Sequence, residues 1–251
     1  MTLNRELILT KEEIQVKRTP KELELWVEKK CNEFENNDEI EDQVLLRKGL
    51  FKQFYEEVRP LSLFVNKIYP SSSDILCIPS IDNKDYDAVI RDCTFSPPHE
   101  LKVEFTYVTK GVVSTSAKEC GHDEYLRMEY FIEHRHVNTF GSLTHSEDKN
   151  TGCKINVEDE MIDHIDLLQN TFSLIKSAAE KKSETRKPRK YGKQTHVLVI
   201  VFDDWQWFNS KDMVTLENFM KTEILVKPLN FKTVYILGSS GKTFLSFELS
   251  V

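Results

Sequence analysis

The stretch LKVEFTYV, Leu101–Val108, has the clearest strand pattern in the chain. Apolar or aromatic side chains occupy every second position from Val103 to Tyr107, and polar side chains lie between them. Because successive side chains of a β-strand point to opposite faces, this alternation predicts a strand with one buried and one polar face. The polar face carries Lys102, Glu104 and Thr106. The functional hypothesis starts from the carboxylate in the middle of this strand.

A second strand is predicted upstream, in the stretch YDAVI, Tyr86–Ile90, where Asp87 stands at the entrance. Pro97 and Pro98 force a turn before the next strand, because proline cannot donate to a sheet ladder. If the two strands are antiparallel neighbours, the carboxylates of Asp87 and Glu104 converge at one end. Two carboxylates with carbonyl and water oxygens suit Mg²⁺, which would orient a water for phosphate hydrolysis. The alternative is that Asp87 caps a strand and Glu104 faces solvent.

The second half of the chain alternates helix and strand. Apolar residues spaced by four and three predict a helix from Glu158 to about Lys182, and Lys182 continues the apolar stripe at its end. The continuous apolar run HVLVIVF, His196–Phe202, is typical of a central strand covered on both faces. Three further elements complete the pattern: a helix over about Asp212–Thr222, a strand in KTVYILG and an edge strand in TFLSFEL. We therefore expect an α/β fold in which helices flank a central mixed sheet.

The first part of the chain predicts two helices. The motif TPKE, Thr19–Glu22, combines a capping threonine, a first-turn proline and a glutamate that can complete a capping box. A second helix is predicted from about Ile40 to Val58, with Pro60 ending it. These helices predict an N-terminal helical hairpin. The expected partition is a helical arm over residues 1–70 packed on an α/β core over residues 71–251, within one structural domain.

The composition predicts a protein of the cytoplasm. The charged N-terminal stretch lacks the apolar segment of a signal peptide, and no apolar run approaches the roughly 20 residues that a bilayer span needs. Five scattered cysteines fit reduced thiols better than a disulfide framework. The net charge of −7 argues against a protein that coats nucleic acid by bulk charge. The basic run from Lys181 to Lys193 is either a solvated helix end or a patch that contacts phosphate.

The order of these elements resembles the PD-(D/E)xK, or restriction-endonuclease-like, nuclease superfamily. In that pattern an Asp precedes a short strand, and a hairpin, a strand with Glu-x-Lys, a helix and a buried strand follow. The chain resembles it from about Ile75 to Asp204, through Asp87, VEFTYV, DEYLRMEY and AAEKK before HVLVIVFDD. The resemblance implies a restriction-endonuclease-like sheet and Mg²⁺, or Mn²⁺, held by Asp87 and Glu104. It further implies DNA hydrolysis and a role in mobile-element, phage or defence biology.

The chain departs from the superfamily's motif two positions after Glu104, where the family has Lys and this chain has Thr106. A hydroxyl can hydrogen-bond a water, but it brings no positive charge. Lysines elsewhere are therefore candidates to replace the missing one. The residues predicted to assist the attacking water are Thr106, Lys102 and Lys182, with Lys176 and Gln169 as further candidates and Asp85 as a substitute for Asp87.

Other constellations in the sequence give weaker hypotheses. Zinc-capable side chains lie in one stretch, but their spacing does not match the paired ligands of structural zinc sites. The segment GSSGK, Gly238–Lys242, lacks the full phosphate-loop spacing and is better interpreted as a hairpin turn. Trp205 and Trp207 are either core aromatics or a platform on which a base stacks. The zinc-capable residues are Cys120, His122, His134, His136, His145 and Cys153.

Two functional hypotheses follow. The first is a metal-dependent nuclease that hydrolyses DNA phosphodiester bonds, with Asp87 and Glu104 as the metal ligands. The second is a catalytically inactive nuclease-fold domain that binds a protein or nucleic-acid partner. Thr106 and the net acidity favour the second hypothesis, and the two carboxylates favour the first. Neither hypothesis predicts an oligomeric state.

Overall fold

The computed structural model of this chain describes a six-stranded mixed sheet with helices on both faces. The strands are β1 (Ile75–Pro79), β2 (Ala88–Asp92), β3 (His99–Tyr107), β6 (Val197–Phe202), β7 (Thr233–Gly238) and β8 (Phe244–Glu248), and they lie side by side in this order. β4 (Ser142–Ser146) and β5 (Lys154–Glu158) form a separate antiparallel pair. The described residues are 8–45, 47, 49–81, 86–108, 142–146, 154–158, 163–183, 197–204, 209–227 and 229–249.

Parallel strands form the centre of the sheet, and antiparallel strands form its edges. β3 runs parallel to β6, and β6 runs parallel to β7. β1 and β2 on one side and β8 on the other complete the sheet with antiparallel pairs. All six residues of β6 are buried, which confirms the central strand predicted from its continuous apolar run. The α/β class with a mixed central sheet is therefore as expected.

The helices of the second half cover one face of the sheet. These are α6 (His164–Ser183) and α7 (Ser210–Phe219), and a π-helical turn over Met220–Ile224 extends α7. Leu198, Ile200 and Phe202 of β6 share one buried cluster with the apolar stripes of both helices. The connections from β3 to β6 and from β6 to β7 thus both contribute a helix to the same face.

The N-terminal helices cover the opposite face. Their buried side chains share a second cluster with Cys77, Val103 and Phe105 of the sheet. The capping box predicted at Thr19 and Glu22 is present at the start of α2. In order, the helical segments are α1 (Lys11–Ile14), α2 (Pro20–Glu35), a 3₁₀ turn (Asp38–Ile40), α3 (Glu41–Leu45), α4 (Leu50–Gln53), a π-helical turn (Phe54–Val58) and α5 (Arg59–Ile68).

The predicted helix end at Pro60 is wrong, because the helix continues through this residue to Ile68. Proline lacks an N–H group, and its ring collides with the carbonyl one turn earlier in an ordinary α-helix. Here the preceding turn is π-helical, with the Arg59 N–H donating to the Phe54 carbonyl five residues back. This wider turn directly precedes the proline, so the helix continues into α5. α5 packs against α2. Asn66 near the end of α5 donates to the carbonyl of Pro20 at 3.2 Å, so the two helices run antiparallel.

The long helix also begins later than predicted. Glu158 is the last residue of β5, and the described part of α6 starts at His164. The sequence pattern missed the β4–β5 pair, whose strands fall in a polar segment. The segment DEYLRMEY, on which the superfamily resemblance partly rests, lies outside the described residues. None of the described helices has the length and apolar character needed to span a bilayer.

Candidate functional site

Glu104 lies within β3 and is buried, with 3 % of its surface exposed. Its strand is enclosed by β2 on one side and by β6 on the other, where Leu198 is its register partner. A buried carboxylate is costly unless a cation or several hydrogen bonds compensate it. Lys182 provides this compensation, because its ammonium donates a hydrogen bond to Oε1 of Glu104. The polar residue in the predicted strand is therefore the buried half of an ion pair with a partly exposed lysine.

Lys182 reaches the sheet because it continues the buried stripe of α6. Phe172, Ile175 and Ala179 of that stripe pack against the sheet, and Lys182 follows Ala179 by three residues. The lysine side chain is 20 % exposed. A lysine in this position buries its alkyl stem and carries its charge to the far end. The stripe thus places an ammonium group beside Glu104.

Asp87 is held against the backbone of β3. Its Oδ2 accepts a hydrogen bond from the N–H of Phe105 at 2.7 Å. The Asp87 N–H in turn donates to the Val103 carbonyl at 2.9 Å, so Asp87 lies alongside this part of β3. β2 begins only at Ala88, so the Asp87 side chain takes the place that a strand carbonyl would otherwise occupy. The N–H that it binds directly follows Glu104 in the chain, which brings Asp87 to the same part of the sheet.

Glu57 is a third carboxyl group at this place, and the sequence analysis did not identify it. It lies in the π-helical turn of the N-terminal helices. Burial raises the pKa of Glu57 to about 8, and the negative charges of Asp87, Glu56 and Glu104 add to the rise, while Lys182 opposes it. Charge interactions of this kind act over short distances, so Glu57 lies near Asp87, Glu104 and Lys182. We call Glu57, Asp87, Glu104 and Lys182 the acidic site.

A sequence signal for Glu57 did exist. Pro60 follows it by three residues inside a helix, and a proline there requires a local departure from α-helical geometry. π-Helical turns occur frequently at functional sites. Because the sequence pattern predicts a helix end at Pro60, neither the π-helical turn nor the position of Glu57 was predicted.

The other candidate residues of β3 lie next to the acidic site. The Lys102 ammonium is 5.0 Å from the centre of the Tyr86 ring. Thr106 is half-buried and stands opposite Ile200 of β6 in the sheet register. Both occupy the alternate positions that the strand pattern predicted. Their roles in assisting a water stay predictions.

The remaining candidates of α6 point elsewhere. Lys176 forms a salt bridge of 2.9 Å with Glu223 on the adjoining π-helical turn, and both side chains are substantially exposed. Gln169 is exposed to solvent. Of the two lysines proposed on this helix, Lys182 is the one that the structure brings to Glu104.

Several residues named in the sequence analysis lie outside the described part of the chain. Among the zinc-capable residues, His145 is the one within the described part of the chain, and it lies in β4. In the residues that the structure does describe, no three His, Cys, Asp or Glu side chains form a group arranged to hold a metal. The residues outside are Asp85, Cys120, His122, His134, His136, Cys153, Trp205 and Trp207.

The segment GSSGK forms the turn between β7 and β8, as its hairpin interpretation predicted. Asp204 holds this turn, because its two carboxylate oxygens accept hydrogen bonds from the N–H groups of Ser240 and Thr243 at 2.8 and 3.0 Å. A Cβ on Gly238 would lie 1.9 Å from Oδ2 of Asp204. The glycine is therefore required by the carboxylate packed over it, and the turn has a structural explanation.

The donor chemistry of the acidic site fits a hard divalent cation. Asp87 and Glu104 supply carboxylate oxygens, the ligand type that Mg²⁺ prefers, and Mg²⁺ commonly binds one or two carboxylates while it keeps several waters. Burial is the main cause of the raised pKa of Glu57, and repulsion from the charges of Asp87 and Glu104 adds to it. A cation with a charge of +2 would relieve that repulsion. Asp87 and Glu104 are the residues that would hold it.

No family model, no curated protein and no solved structure matches this chain. The functional argument therefore depends on the residues of the site.

Proposed function

We propose that this chain is a metal-dependent nuclease that hydrolyses DNA phosphodiester bonds, with a restriction-endonuclease-like core. The observation that carries the proposal is the convergence of Asp87, Glu104 and Lys182. They come from a strand entrance, a strand and a helix that are far apart in sequence. Placing a buried carboxylate in a strand and pairing it with a partly buried ammonium from a helix is costly for stability, and such residues cluster at functional sites.

The element order supports the restriction-endonuclease-like part of the proposal. An antiparallel hairpin formed by β2 and β3 carries both acidic residues, and α6 and the parallel strand β6 follow. Lys182 would replace the lysine that the superfamily motif has at the position of Thr106. An ammonium supplied from a neighbouring helix meets the same chemical need as one supplied from the strand.

The proposed mechanism assigns each side chain a separate task. Bound Mg²⁺ would supply positive charge at the scissile phosphate and lower the pKa of a coordinated water. Asp87 and Glu104 would hold the ion, and the hydrogen bond from Phe105 fixes the Asp87 carboxylate. Nζ of Lys182 would orient the attacking water and hold positive charge near the phosphate oxygens. Thr106 and Lys102 would contribute hydrogen bonds from the same strand.

A specific observation favours the alternative function. Thr106 brings no charge, and the ammonium of Lys182 is engaged in an ion pair with Glu104. In a catalytically inactive domain that binds a protein or nucleic acid, this ion pair would only stabilise the fold. The two functions differ in whether the carboxylates are needed for chemistry or for structure.

Metal-dependent cleavage separates the two functions. Labelled single-stranded and double-stranded DNA would be incubated with the wild type, Glu104→Gln and Lys182→Ala, under Mg²⁺ and under Mn²⁺. Lys176→Ala is the matched control, since it removes an exposed lysine from the same helix. We expect both site variants to lose cleavage by on the order of 10²-fold or more, the equivalent of several kcal/mol of lost transition-state stabilisation. A wild type that cuts neither DNA with either metal would contradict the proposal.

A further inference from the structure

Ser80 has an unsatisfied buried hydroxyl beside the acidic site. It follows the last residue of β1 and is 8 % exposed. Its Oγ is the one buried side-chain oxygen or nitrogen that lacks a hydrogen-bond partner among the residues described by the structure. Most buried polar side-chain atoms in proteins have a partner, and an unsatisfied one calls for an explanation such as an absent water or ion.

The sheet register makes Ser80 the neighbour of Asp87. The Ser80 N–H donates to the Asp87 carbonyl at 2.8 Å, which continues the pairing of β1 with β2 by one residue. The Asp87 N–H donates to the Val103 carbonyl at 2.9 Å, and its Oδ2 accepts from the Phe105 N–H, so Asp87 lies alongside the part of β3 that contains Glu104. Ser80 after β1, Asp87 before β2 and Glu104 in β3 thus lie in adjacent segments at the same end of the sheet.

The alternation of side chains directs Ser80 to the same side of the sheet as Glu104. Cys77 in β1 and Ile81 after it belong to the core under the N-terminal helices, as do Val103 and Phe105 of β3. Ser80 and Glu104 lie at the positions between these residues. Residues between core positions of a strand face the opposite side of the sheet. The hydroxyl of Ser80 therefore lies on the side from which Lys182 reaches Glu104.

We propose that Ser80 is a positioning residue of the cation site, and that its hydroxyl binds a water in the hydration shell of a divalent cation held by Asp87 and Glu104. This inference rests on the proposed function. Mg²⁺ and Mn²⁺ keep coordinated waters when one or two carboxylates bind them. Partners that hold such outer ligands are needed for affinity, because they fix the geometry of the whole shell. A water held in this way would supply the partner that the buried Ser80 hydroxyl lacks.

A direct test measures Mn²⁺ affinity in the absence of DNA. Mn²⁺ would be titrated into the wild type, Ser80→Ala, Ser80→Thr and Glu104→Gln, with free Mn²⁺ followed by its paramagnetic resonance signal. Thermal melting without metal would be recorded for each protein. Ser62→Ala is the control, because Ser62 is equally buried but lies on α5 under the opposite face of the sheet.

The expected result separates affinity from stability. Ser80→Ala raises the Kd for Mn²⁺ by about 10-fold or more, as loss of an outer-shell partner does elsewhere. Its melting temperature without metal is unchanged or higher, because removing an unpaired buried hydroxyl removes a desolvation cost. Ser80→Thr keeps the hydroxyl and recovers most of the affinity, and Ser62→Ala leaves the affinity unchanged.

Two different failures are distinguishable. If the wild type binds Mn²⁺, Glu104→Gln does not, and Ser80→Ala binds as tightly as the wild type, then Ser80 has no role at the ion while the cation site survives. A Ser80→Ala protein that melts well below the wild type without metal would assign the hydroxyl a structural role and overturn the inference. If the wild type itself binds no Mn²⁺, the proposed function fails and the inference fails with it.

Discussion

Glu104 within β3 and Asp204 just after β6 are both buried carboxylates, with exposed fractions of 3 % and 5 %, but their partners differ. Asp204 is satisfied by the backbone, because the N–H groups of Ser240 and Thr243 bind its two oxygens. Glu104 is paired with the ammonium at the end of a long side chain from another element, Lys182. The backbone partners of Asp204 belong to the turn that it closes. The lysine partner of Glu104 is one that a cation or a substrate could replace.

This comparison teaches how a structural carboxylate differs from a candidate functional one. Asp204 completes a local turn over Gly238, and nothing else is needed to explain its burial. Glu104 closes no turn. It belongs to the acidic site, together with the carboxyl groups of Glu57 and Asp87 and the ammonium of Lys182. Stability alone does not require such an arrangement, since a packed apolar pair in place of a buried ion pair is often neutral or stabilising.

The largest effect on stability is expected when Glu104 loses its partner. Lys182→Met leaves a buried carboxylate without its cation and is expected to lower the free energy of unfolding of the metal-free protein by about 3–5 kcal/mol. Denaturant unfolding measures this change. Lys176→Met is the control on the same helix, because its salt bridge with Glu223 is solvent-exposed and is expected to show no measurable loss.

A double variant tests the cause. Adding Glu104→Gln to Lys182→Met removes the uncompensated charge and is expected to recover most of the lost stability. Equal losses in Lys182→Met and Lys176→Met would mean that the Glu104 ion pair behaves like an exposed one.

A smaller effect is expected at the structural carboxylate. Asp204→Asn replaces one accepting oxygen with an NH₂ group, so one buried turn N–H loses its partner, and the free energy of unfolding should fall by about 1–3 kcal/mol. Mn²⁺ affinity and DNA cleavage per folded molecule should match those of the wild type. A loss of metal affinity in this variant would remove the distinction between the two carboxylates.

The smallest effect is expected from the protonation of Glu57. Its folded-state pKa of about 8 lies above the ordinary value of 4.5, so the protonated form is the one that the metal-free fold favours. The resulting stability is fully present below about pH 4.5 and is lost as the pH rises through about 8. Glu57 is partly exposed, so solvent screens much of this effect, and relative to Glu57→Gln the metal-free wild type should lose about 1 kcal/mol across this window.

Denaturation at several pH values measures that difference. Glu217→Gln is the control, since Glu217 forms an exposed salt bridge with Lys221 on the opposite face of the sheet from Glu57. If the free energies of unfolding of the wild type and Glu57→Gln differ by the same amount at every pH, the fold does not raise the pKa of Glu57.

The strand positions of the site could be predicted because alternation and turn signals determine which face a residue occupies. Asp87 and Glu104 were identified in this way, and the burial of β6 followed from its composition. Lys182 was a candidate because it continued the apolar stripe of its helix. These are local patterns with a physical basis in the periods of strands and helices.

The rest of the site could not be predicted because its signals are not periodic. Glu57 depends on a π-helical turn, which sequence patterns interpret as a helix end at Pro60. Ser80 is one serine after a strand, and only the pairing of three strands brings it beside Asp87 and Glu104. The β4–β5 pair lies in a segment without an apolar pattern. Long-range pairing and local departures from regular geometry account for these omissions.

The most direct measurement of the central claim is a crystal structure determined with Mn²⁺, with the metal located by its anomalous signal. The account predicts a peak that contacts carboxylate oxygens of both Asp87 and Glu104, with an ordered water between the peak and the hydroxyl of Ser80. A structure in which Lys182 stays bound to Glu104 at saturating Mn²⁺, with no anomalous peak between the two carboxylates, would contradict it.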